Sequence, residues 1–350
     1  MGVHLTPIIL KHKISLEDLT GKTMAVDCNN VLYQFLALIR KPDGSPLKSS
    51  DGIVTSHLAG LMYRSTRLIC DYGINLIFIF DGIPPRRKEI EITKRRQIRE
   101  KATLEWRRAL EEQDYAKAFS KAVMTSRLTK PMIEDAKRLL NLLGIPYVQA
   151  PGEAEAQAAY MAAKGDVWAT GSRDFDSLLF GTPKLVRYLT LTGREFLPSK
   201  GISRRLEPEL IILDELLSHQ KISRIQLIDI AILIGTDFND GVKGIGPKKA
   251  LRLIREYGEI ENLPESIKRE VPPDYEDIRR IFLQPNVDRD YVVNYGTVKE
   301  EELYDFLCNQ RGFSLERVRK VIERVKKCRL RMRQIDLDLW IQKDQKSIDL

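Results

Sequence analysis

The chain has 350 residues, enough for one large α/β domain or two small ones. Hydrophobic residues make up 43% and charged residues 30%, so we expect a sizeable core beneath a heavily charged surface. The net charge of +8 favours a polyanionic partner, although many basic proteins bind nothing acidic. The sequence shows no apolar run of membrane-spanning length and no signal-peptide pattern, so we expect a soluble, intracellular protein.

Strands and helices alternate through the first half of the chain. Apolar runs predict buried strands at 23–27, 75–81, 146–149 and 166–171. Helical patterns between the strands cover 30–39, 56–72, 130–143 and 155–164. This alternation predicts an α/β fold in which a mostly parallel, twisted sheet is flanked by helices on both faces.

The segment 86–130 interrupts this alternation. It is helical in composition and strongly charged, with little apolar content before Leu104 and Trp106. Because it can bury so little surface, we interpret it as an excursion that stands off the sheet. An ordinary solvated helix is the alternative.

Three helical signals follow the sheet region. Residues 226–234 are almost wholly apolar and predict a buried helix. The segment Gly244–Ala250 opens another helix, with Pro247 in its first turn. A basic helix is predicted from Leu315 to about Arg333, and the polar residues 334–350 have the composition of a tail.

Four acidic residues stand at the ends of three predicted strands. Asp27 ends the first strand, Asp81 ends the second, and Asp174 and Asp176 follow the strand at 166–171. Ligands of an open parallel sheet bind outside the carboxyl ends of its strands. We therefore expect these four carboxylates to converge on one crevice.

Three further acids lie at the starts or ends of predicted helices. Glu153 and Glu155 follow Pro151-Gly152, and Asp237 lies in the turn after the buried helix. Residues two apart on a regular helix diverge, so both glutamates reach one site only if Glu153 lies in an irregular first turn. Each acid alone could be a cap or turn former, but seven converging carboxylates need cations among them. Ligands that are all oxygen suit Mg²⁺ or Mn²⁺, and two such ions about 4 Å apart catalyse phosphodiester displacement.

The order and spacing of these motifs resemble the flap endonucleases of the XPG-type 5′ nuclease superfamily, and archaeal members most. The resemblance covers nearly the whole chain. The motifs that carry it are Asp27 at a strand end, Phe80-Asp81-Gly82-x-Pro84-Pro85, Ala150-Pro-Gly-Glu153-Ala-Glu155-Ala, Ser172-Arg-Asp174-Phe-Asp176, Gly235-Thr-Asp237 and Gly244-Ile-Gly-Pro-Lys-Lys-Ala250.

The resemblance implies a PIN-like 5′ nuclease fold with a helical arch at about 86–130 and a helix-hairpin-helix region at about 226–257. It divides the chain into an N-terminal nuclease region at 1–105, an internal nuclease region at 106–333 and a tail at 334–350. The metal-binding acids that it implies, for two Mg²⁺ ions that Mn²⁺ could replace, are Asp27, Asp81, Glu153, Glu155, Asp174, Asp176 and Asp237.

Further residues match positions with a role in catalysis or DNA binding. Lys88 and Arg95 match a basic pair at the base of the arch, which would hold the scissile phosphate and stabilise its developing charge. They are seven apart and would share one helix face. Tyr33 matches an aromatic residue on which a base can stack. Gly2 matches a start near the active site, although ordinary initiator processing explains this glycine as well.

The turn at Gly244 and Gly246 is similar to a helix-hairpin-helix turn of this family. Glycine allows backbone amides to approach a phosphate, and the following helix N-terminus and Lys248 and Lys249 add positive potential. The family also holds K⁺ in this hairpin. A plain αα-hairpin is the alternative.

The tail resembles the motif that binds the sliding clamp (PCNA). The matching residues are Gln334, Leu337, Trp340 and Ile341, although Ile341 stands where a second aromatic residue is expected. A second register begins at Gln345 and reaches the last residue before its aromatic pair.

Together these features predict a 5′ flap endonuclease with 5′→3′ exonuclease activity, which cuts branched DNA in replication, including Okazaki fragment maturation, and in repair. Two metal ions would assist hydrolysis, leaving a 5′-phosphate and a 3′-hydroxyl. We expect a monomer in the cytoplasm or nucleoid, or in the nucleus of a eukaryote. The alternatives are a related nuclease for bubbles or four-way junctions, a non-catalytic clamp-associated DNA-binding scaffold, and a PIN-type ribonuclease.

Overall fold

The computed structural model describes residues 2–190, 193–197 and 202–328. The strands are β1 (His12–Lys13), β2 (Thr23–Asp27), β3 (Asn75–Phe80), β4 (Tyr147–Gln149), β5 (Ala169–Gly171), β6 (Lys184–Arg187), β7 (Gly193–Leu197), β8 (Ile202–Leu206), β9 (Glu209–Ile212), β10 (Gly235–Thr236) and β11 (Asn239–Asp240). The helices are α1 (Cys28–Leu38), α2 (Ser56–Tyr72), α3 (Glu89–Glu111), α4 (Tyr115–Val123), α5 (Lys130–Leu143), α6 (Ala154–Lys164), α7 (Asp176–Leu179), α8 (Leu213–Gln220), α9 (Arg224–Ile234), α10 (Pro247–Tyr257), α11 (Glu265–Lys268), α12 (Tyr275–Leu283), α13 (Glu300–Tyr304) and α14 (315–328).

Seven strands form the central sheet in the order β1-β9-β6-β5-β2-β3-β4. The five strands from β6 to β4 in this order pair in parallel, whereas β9 runs antiparallel to both β6 and β1. The predicted α/β fold with a mostly parallel sheet is therefore confirmed. The antiparallel edge was not predicted, because β6 and β9 are only four residues long and contain only two or three apolar residues each. The strand predicted at 166–171 was too long, since pairing begins at Ala169.

Successive side chains of β2 and β3 enter different cores, as the pleat of a strand requires. Met24 and Val26 pack with α1, α2, α5 and α14, whereas Ala25 and Ile77 pack beneath α6. The central strands are thus buried on both faces, which explains why they read as continuous apolar runs.

The direction of chain winding reverses at β2. From β2 the chain passes outward to β3 and β4, then returns through α6 to β5 on the other side of β2. Such a reversal opens a crevice at the carboxyl ends of the two strands that flank it. The ends of β2 and β5 therefore define where a ligand can enter.

The segment 86–130 forms two packed helices, α3 and α4. Small side chains join them: Ala102, Ala109, Ala118 and Ala122 are all buried at 2% exposure or less. The far end of the pair rests on the loop at 40–46, where the Trp106 indole donates to the carbonyl of Asp43 at 3.2 Å. Alanine packing explains how so charged a segment forms a two-helix arch.

The second half of the chain is helical. The predicted buried helix is confirmed as α9, which begins at a capping box formed by Ser223 and Gln226. An ion pair of 2.8 Å between buried Asp229 and Arg279 joins α9 to α12. None of the helices in the described ranges is both long and apolar enough to cross a membrane.

Candidate active site

The first two strand-end acids are held by the N-termini of helices. Asp27 caps α1 and accepts a hydrogen bond from the Asn30 amide at 3.0 Å. Asp81 follows β3 and accepts from the amide of Ala154, the first residue of α6, at 2.8 Å. The capping interpretation is confirmed for both residues, and the caps fix the two carboxylates at the edge of the sheet where the site is predicted.

Glu153 lies outside the regular part of α6, as it must if both glutamates of the β4–α6 connection are to reach one site. Glu153 is the N-cap of α6 in an extended conformation (φ −72°, ψ 132°), and Glu155 lies in the first regular turn. Glu155 is only 8% exposed and accepts hydrogen bonds from the hydroxyls of Ser172 at 2.6 Å and Ser177 at 3.2 Å. Its carboxylate is therefore fixed against the loop that carries the next acids.

The acids after β5 contact the beginning of the chain. The Asn30 side-chain amide donates to Asp174 at 2.8 Å, and the Val3 amide donates to Asp176 at 2.9 Å. A Cβ added to Gly2 would lie 2.9 Å from the Cβ of Asp174 and 2.9 and 3.0 Å from the carboxylate oxygens of Asp176. The predicted proximity of Gly2 to the acids is thus present, and only a residue without a side chain fits there.

Two cations from the base of the arch reach the remaining acid. The Lys88 ammonium lies 2.5 Å from Glu153 and 3.3 Å from Asp237. The Arg95 guanidinium contacts both oxygens of Asp237 at 2.8 Å and Glu91 at 2.9 Å. Lys88 and Arg95 therefore converge on one carboxylate, as their spacing of seven residues predicts.

The carboxylates of this cluster perturb one another. Burial and then the charge of Asp81 raise the pKa of Asp27, and burial and the charge of Asp176 raise the pKa of Glu155. Burial and the charge of Asp237 raise the pKa of Asp176 to about 7. Such shifts require carboxylates that lie close together in a poorly solvated place.

The basic residues offset part of this repulsion. Burial alone would raise the pKa of Asp237, but Lys88 and Arg95 outweigh it and lower the pKa. Burial would lower the pKa of Lys88, yet Glu153 and Asp237 reverse the effect and raise it. The crevice therefore holds an excess of negative charge that two side-chain cations neutralise only in part.

The donor set suits a hard divalent cation. All seven acids offer oxygen, and Asn29 adds a buried side-chain oxygen that has no hydrogen-bond partner among the described residues. As the side chains stand, no three acidic, histidine or cysteine groups in the described part of the chain meet at one point closely enough to hold a metal. Lys88 lies between Glu153 and Asp237, so its displacement would free Glu153 for an ion, whereas Arg95 would still contact both oxygens of Asp237.

The residues predicted to bind DNA lie on two other elements. Tyr33 is 40% exposed on α1, one turn after Asn30. Gly244 has a positive φ of 76°, Gly246 precedes α10, and the Lys249 ammonium lies 3.4 Å from the Gly244 carbonyl. Lys248 lies beside Lys249 in the first turn of α10. The residues predicted to bind the sliding clamp, Gln334, Leu337, Trp340 and Ile341, lie outside the described residues.

The polar residues that orient the acids were not predicted from the sequence. Asn30 joins Asp27 to Asp174, while Ser172 and Ser177 fix Glu155. Asn29 donates a hydrogen bond that stabilises the Asp81 carboxylate. A signal was present, since Asn29 and Asn30 follow β2 directly and Ser172 follows β5 directly, at the strand ends where acids also lie.

Two family descriptions match the sequence, the XPG N-terminal domain over residues 1–102 and the XPG I-region over residues 144–237. Flap endonuclease 1 of Pyrococcus horikoshii is 46% identical over 344 residues, which cover 98% of this chain and 99% of that protein. The structure of flap endonuclease-1 from Methanococcus jannaschii matches with a TM-score of 0.74 and 43% identity, covering 93% of this chain and 98% of that one. The catalytic core of Rad2 in complex with a DNA substrate shares the fold, with a TM-score of 0.68 at 24% identity over 93% of this chain and all of that one.

Proposed function

Because this chain belongs to the flap endonuclease family, we propose that the acids of the crevice form a two-metal nuclease site and that Lys88 and Arg95 bind the scissile phosphate. The chain is a structure-specific flap endonuclease, a hydrolase that acts on DNA in replication and repair, and nucleases of this family generally use a divalent metal. The observation that carries the proposal is the cluster of mutually close acids from four connections of the sheet, beside which Lys88 contacts Glu153 and Asp237 and Arg95 contacts Asp237.

The seven acids would hold two Mg²⁺ ions, for which Mn²⁺ can substitute. Two such ions supply Lewis-acid stabilisation to the attacking and leaving oxygens of a phosphodiester. Asn30, Ser172 and Ser177 keep the carboxylates oriented through direct hydrogen bonds. Fixed orientation matters because a site that need not reorganise stabilises developing charge most strongly.

Lys88 and Arg95 would bind the scissile phosphate once DNA enters the crevice. Both already point at Asp237, an anion on the opposite wall. A phosphate with metal ions beside it would compete for the same cations, and charge-assisted hydrogen bonds from Lys and Arg suit its oxygens. The arch at 86–130 would admit or clamp the single-stranded 5′ flap, and cleavage from a free end would give the 5′→3′ exonuclease activity.

The hairpin before α10 would hold the duplex by its backbone. Gly244 and Gly246 leave the amides open to a phosphate, and α10 presents its positive N-terminus and two lysines. Contacts of this kind position DNA without reading its sequence. We also propose that the turn binds K⁺. Tyr33 would stack on a base near the cut. The tail residues Gln334, Leu337, Trp340 and Ile341 would bind the sliding clamp.

An end-labelled double-flap DNA tests the proposal. We expect Mg²⁺-dependent cleavage at the flap base that EDTA abolishes and that Asp176→Asn loses while flap binding persists. Asp214→Asn, which removes an exposed carboxylate from α8, is the matched control and should cut normally. Flap binding by the wild type without cleavage would contradict the site and favour a scaffold, whereas faster cleavage of a bubble or four-way junction would favour a related nuclease.

A further inference from the structure

The two residues that precede the arch cations in sequence form ion pairs with the second half of the chain. The Arg87 guanidinium, directly before Lys88, pairs with the carboxylates of both Asp274 and Asp277. The Lys94 ammonium, directly before Arg95, lies 2.5 Å from a carboxylate oxygen of Asp240. The base of the arch is therefore tied at two points to segments 146 to 190 residues away.

The carboxylates that pair with Arg87 and Lys94 belong to, or directly precede, elements that are joined to α9. Asp274 precedes α12 and Asp277 lies in its first turn, and α12 is joined to α9 through the buried Asp229 pair with Arg279. Asp240 lies in β11, which pairs with β10 directly after α9. Because α9 leads into the segment that carries Asp237, one rigid unit holds the anchors and the acid that Lys88 and Arg95 contact.

We propose that Arg87 and Lys94 are positioning residues, which hold the base of the arch against the second half of the chain before DNA binds. Lys88 and Arg95 then already lie over the acids when a phosphate arrives. The inference rests on the proposed function only for the role of Lys88 and Arg95. Single exposed ion pairs contribute little, but Arg87 engages two carboxylates at once and Lys94 engages a third at a separate point, so three pairs together hold the base of the arch.

The same helix offers a matched control. Arg96 and Glu100 form an exposed pair at 2.9 Å, four residues apart on α3, and they touch no other element through that contact. If the bridging pairs merely add surface charge, removing Glu100 should have the same effect as removing Asp274 and Asp277. If they position the arch, only the bridging pairs matter.

Hydrogen exchange of the DNA-free full chain tests the inference without relying on catalysis. We expect the double variant Asp274→Asn, Asp277→Asn to speed exchange of amides in 89–111 by roughly tenfold at low salt, and Glu100→Gln to leave them unchanged. High salt should reduce the difference, because exposed pairs are screened. A charge swap, Arg87→Glu with Asp274→Lys and Asp277→Lys, should restore wild-type protection.

Single-turnover cleavage gives the functional readout. The double variant should cut several-fold more slowly at saturating enzyme, with little change in the enzyme concentration that gives the half-maximal rate, and the charge swap should recover the rate. Unchanged exchange in 89–111, an equal effect of Glu100→Gln, or a swap that restores neither measurement would overturn the inference. If the wild-type protein cuts no flap, the proposed function is wrong. The positioning role of Arg87 and Lys94 is decided separately, by the hydrogen-exchange result.

Discussion

Replacing Lys88 with methionine should change catalysis and metal binding in opposite directions. Lys88 is only 17% exposed, and its ammonium lies 2.5 Å from Glu153 and 3.3 Å from Asp237. Methionine keeps an unbranched side chain but removes the charge. We expect the single-turnover cleavage rate to fall by roughly 10²–10³, the loss found when one stabilising donor is removed from a transition state. We expect Mg²⁺ or Mn²⁺ to bind more tightly.

The expected gain in metal affinity follows from the attraction between the Lys88 ammonium and the two carboxylates that it contacts. Unit charges 4 Å apart attract by about 4 kcal/mol at an effective dielectric constant of 20. A metal ion that binds beside Glu153 must either displace the Lys88 ammonium or share the carboxylate with it, and both arrangements weaken this attraction. Relief of only about a third of it, roughly 1.4 kcal/mol, makes binding about tenfold tighter.

Calorimetric titration of the DNA-free protein with Mn²⁺ measures the binding, and rapid-quench cleavage of a double flap measures the rate. Lys88→Arg keeps the positive charge and is the control, which should show near-normal Mn²⁺ affinity with a slower rate. Weaker or unchanged Mn²⁺ binding by Lys88→Met would refute the view that Lys88 stands in for a cation between the two carboxylates.

Three other substitutions test separate features of the structure. Gly2→Ala places a Cβ 2.9 Å from Asp174, so we expect at least a tenfold slower single-turnover rate with normal thermal stability; an unchanged rate would contradict the close approach. Gly82→Ala places a Cβ 2.2 Å from the carbonyl of Ala150, so thermal unfolding should show a lower Tm, and an equal Tm would refute the contact. Burial lowers the pKa of His57 to about 4, so the unfolded chain protonates first and the stability from neutral His57 is lost as pH falls from about 6.5 to 4. In urea unfolding, His57→Leu should reduce the pH dependence of the free energy of unfolding in this range by up to about 1.4 kcal/mol per pH unit. Parallel plots of the unfolding free energy against pH for the two proteins would exclude this role.

The acids and the parallel core could be predicted because both give recognisable patterns in the local sequence. Continuous apolar runs that end in Asp27 or Asp81 indicate a strand buried on both faces whose end is functional. Pro151-Gly152 before two glutamates indicates an irregular helix start, which is where Glu153 lies. These inferences needed only the alternation of apolar strands with helices and the rule that ligands bind outside the carboxyl ends of parallel strands.

The antiparallel edge and the orienting residues could not be predicted in the same way. Strand β9 pairs with β6 through only four residues, and its neighbours give no alternating pattern. Asn30 reaches Asp174 across 144 residues, and Arg87 reaches Asp277 across 190. The sequence places polar residues at the strand ends, but it carries no signal for which of them pair across so many residues, since any of many partners would satisfy them equally well.

The hydrogen bond from Val3 to Asp176 joins residues 173 apart, and it has a consequence for the chain as it leaves the ribosome. The first residues made have no partner until half of the protein has been synthesised. Asp237, which Lys88 and Arg95 contact, appears later still. A nascent or truncated chain that stops before residue 237 cannot assemble the crevice, so the ability to nick DNA would be acquired only when the greater part of the molecule exists.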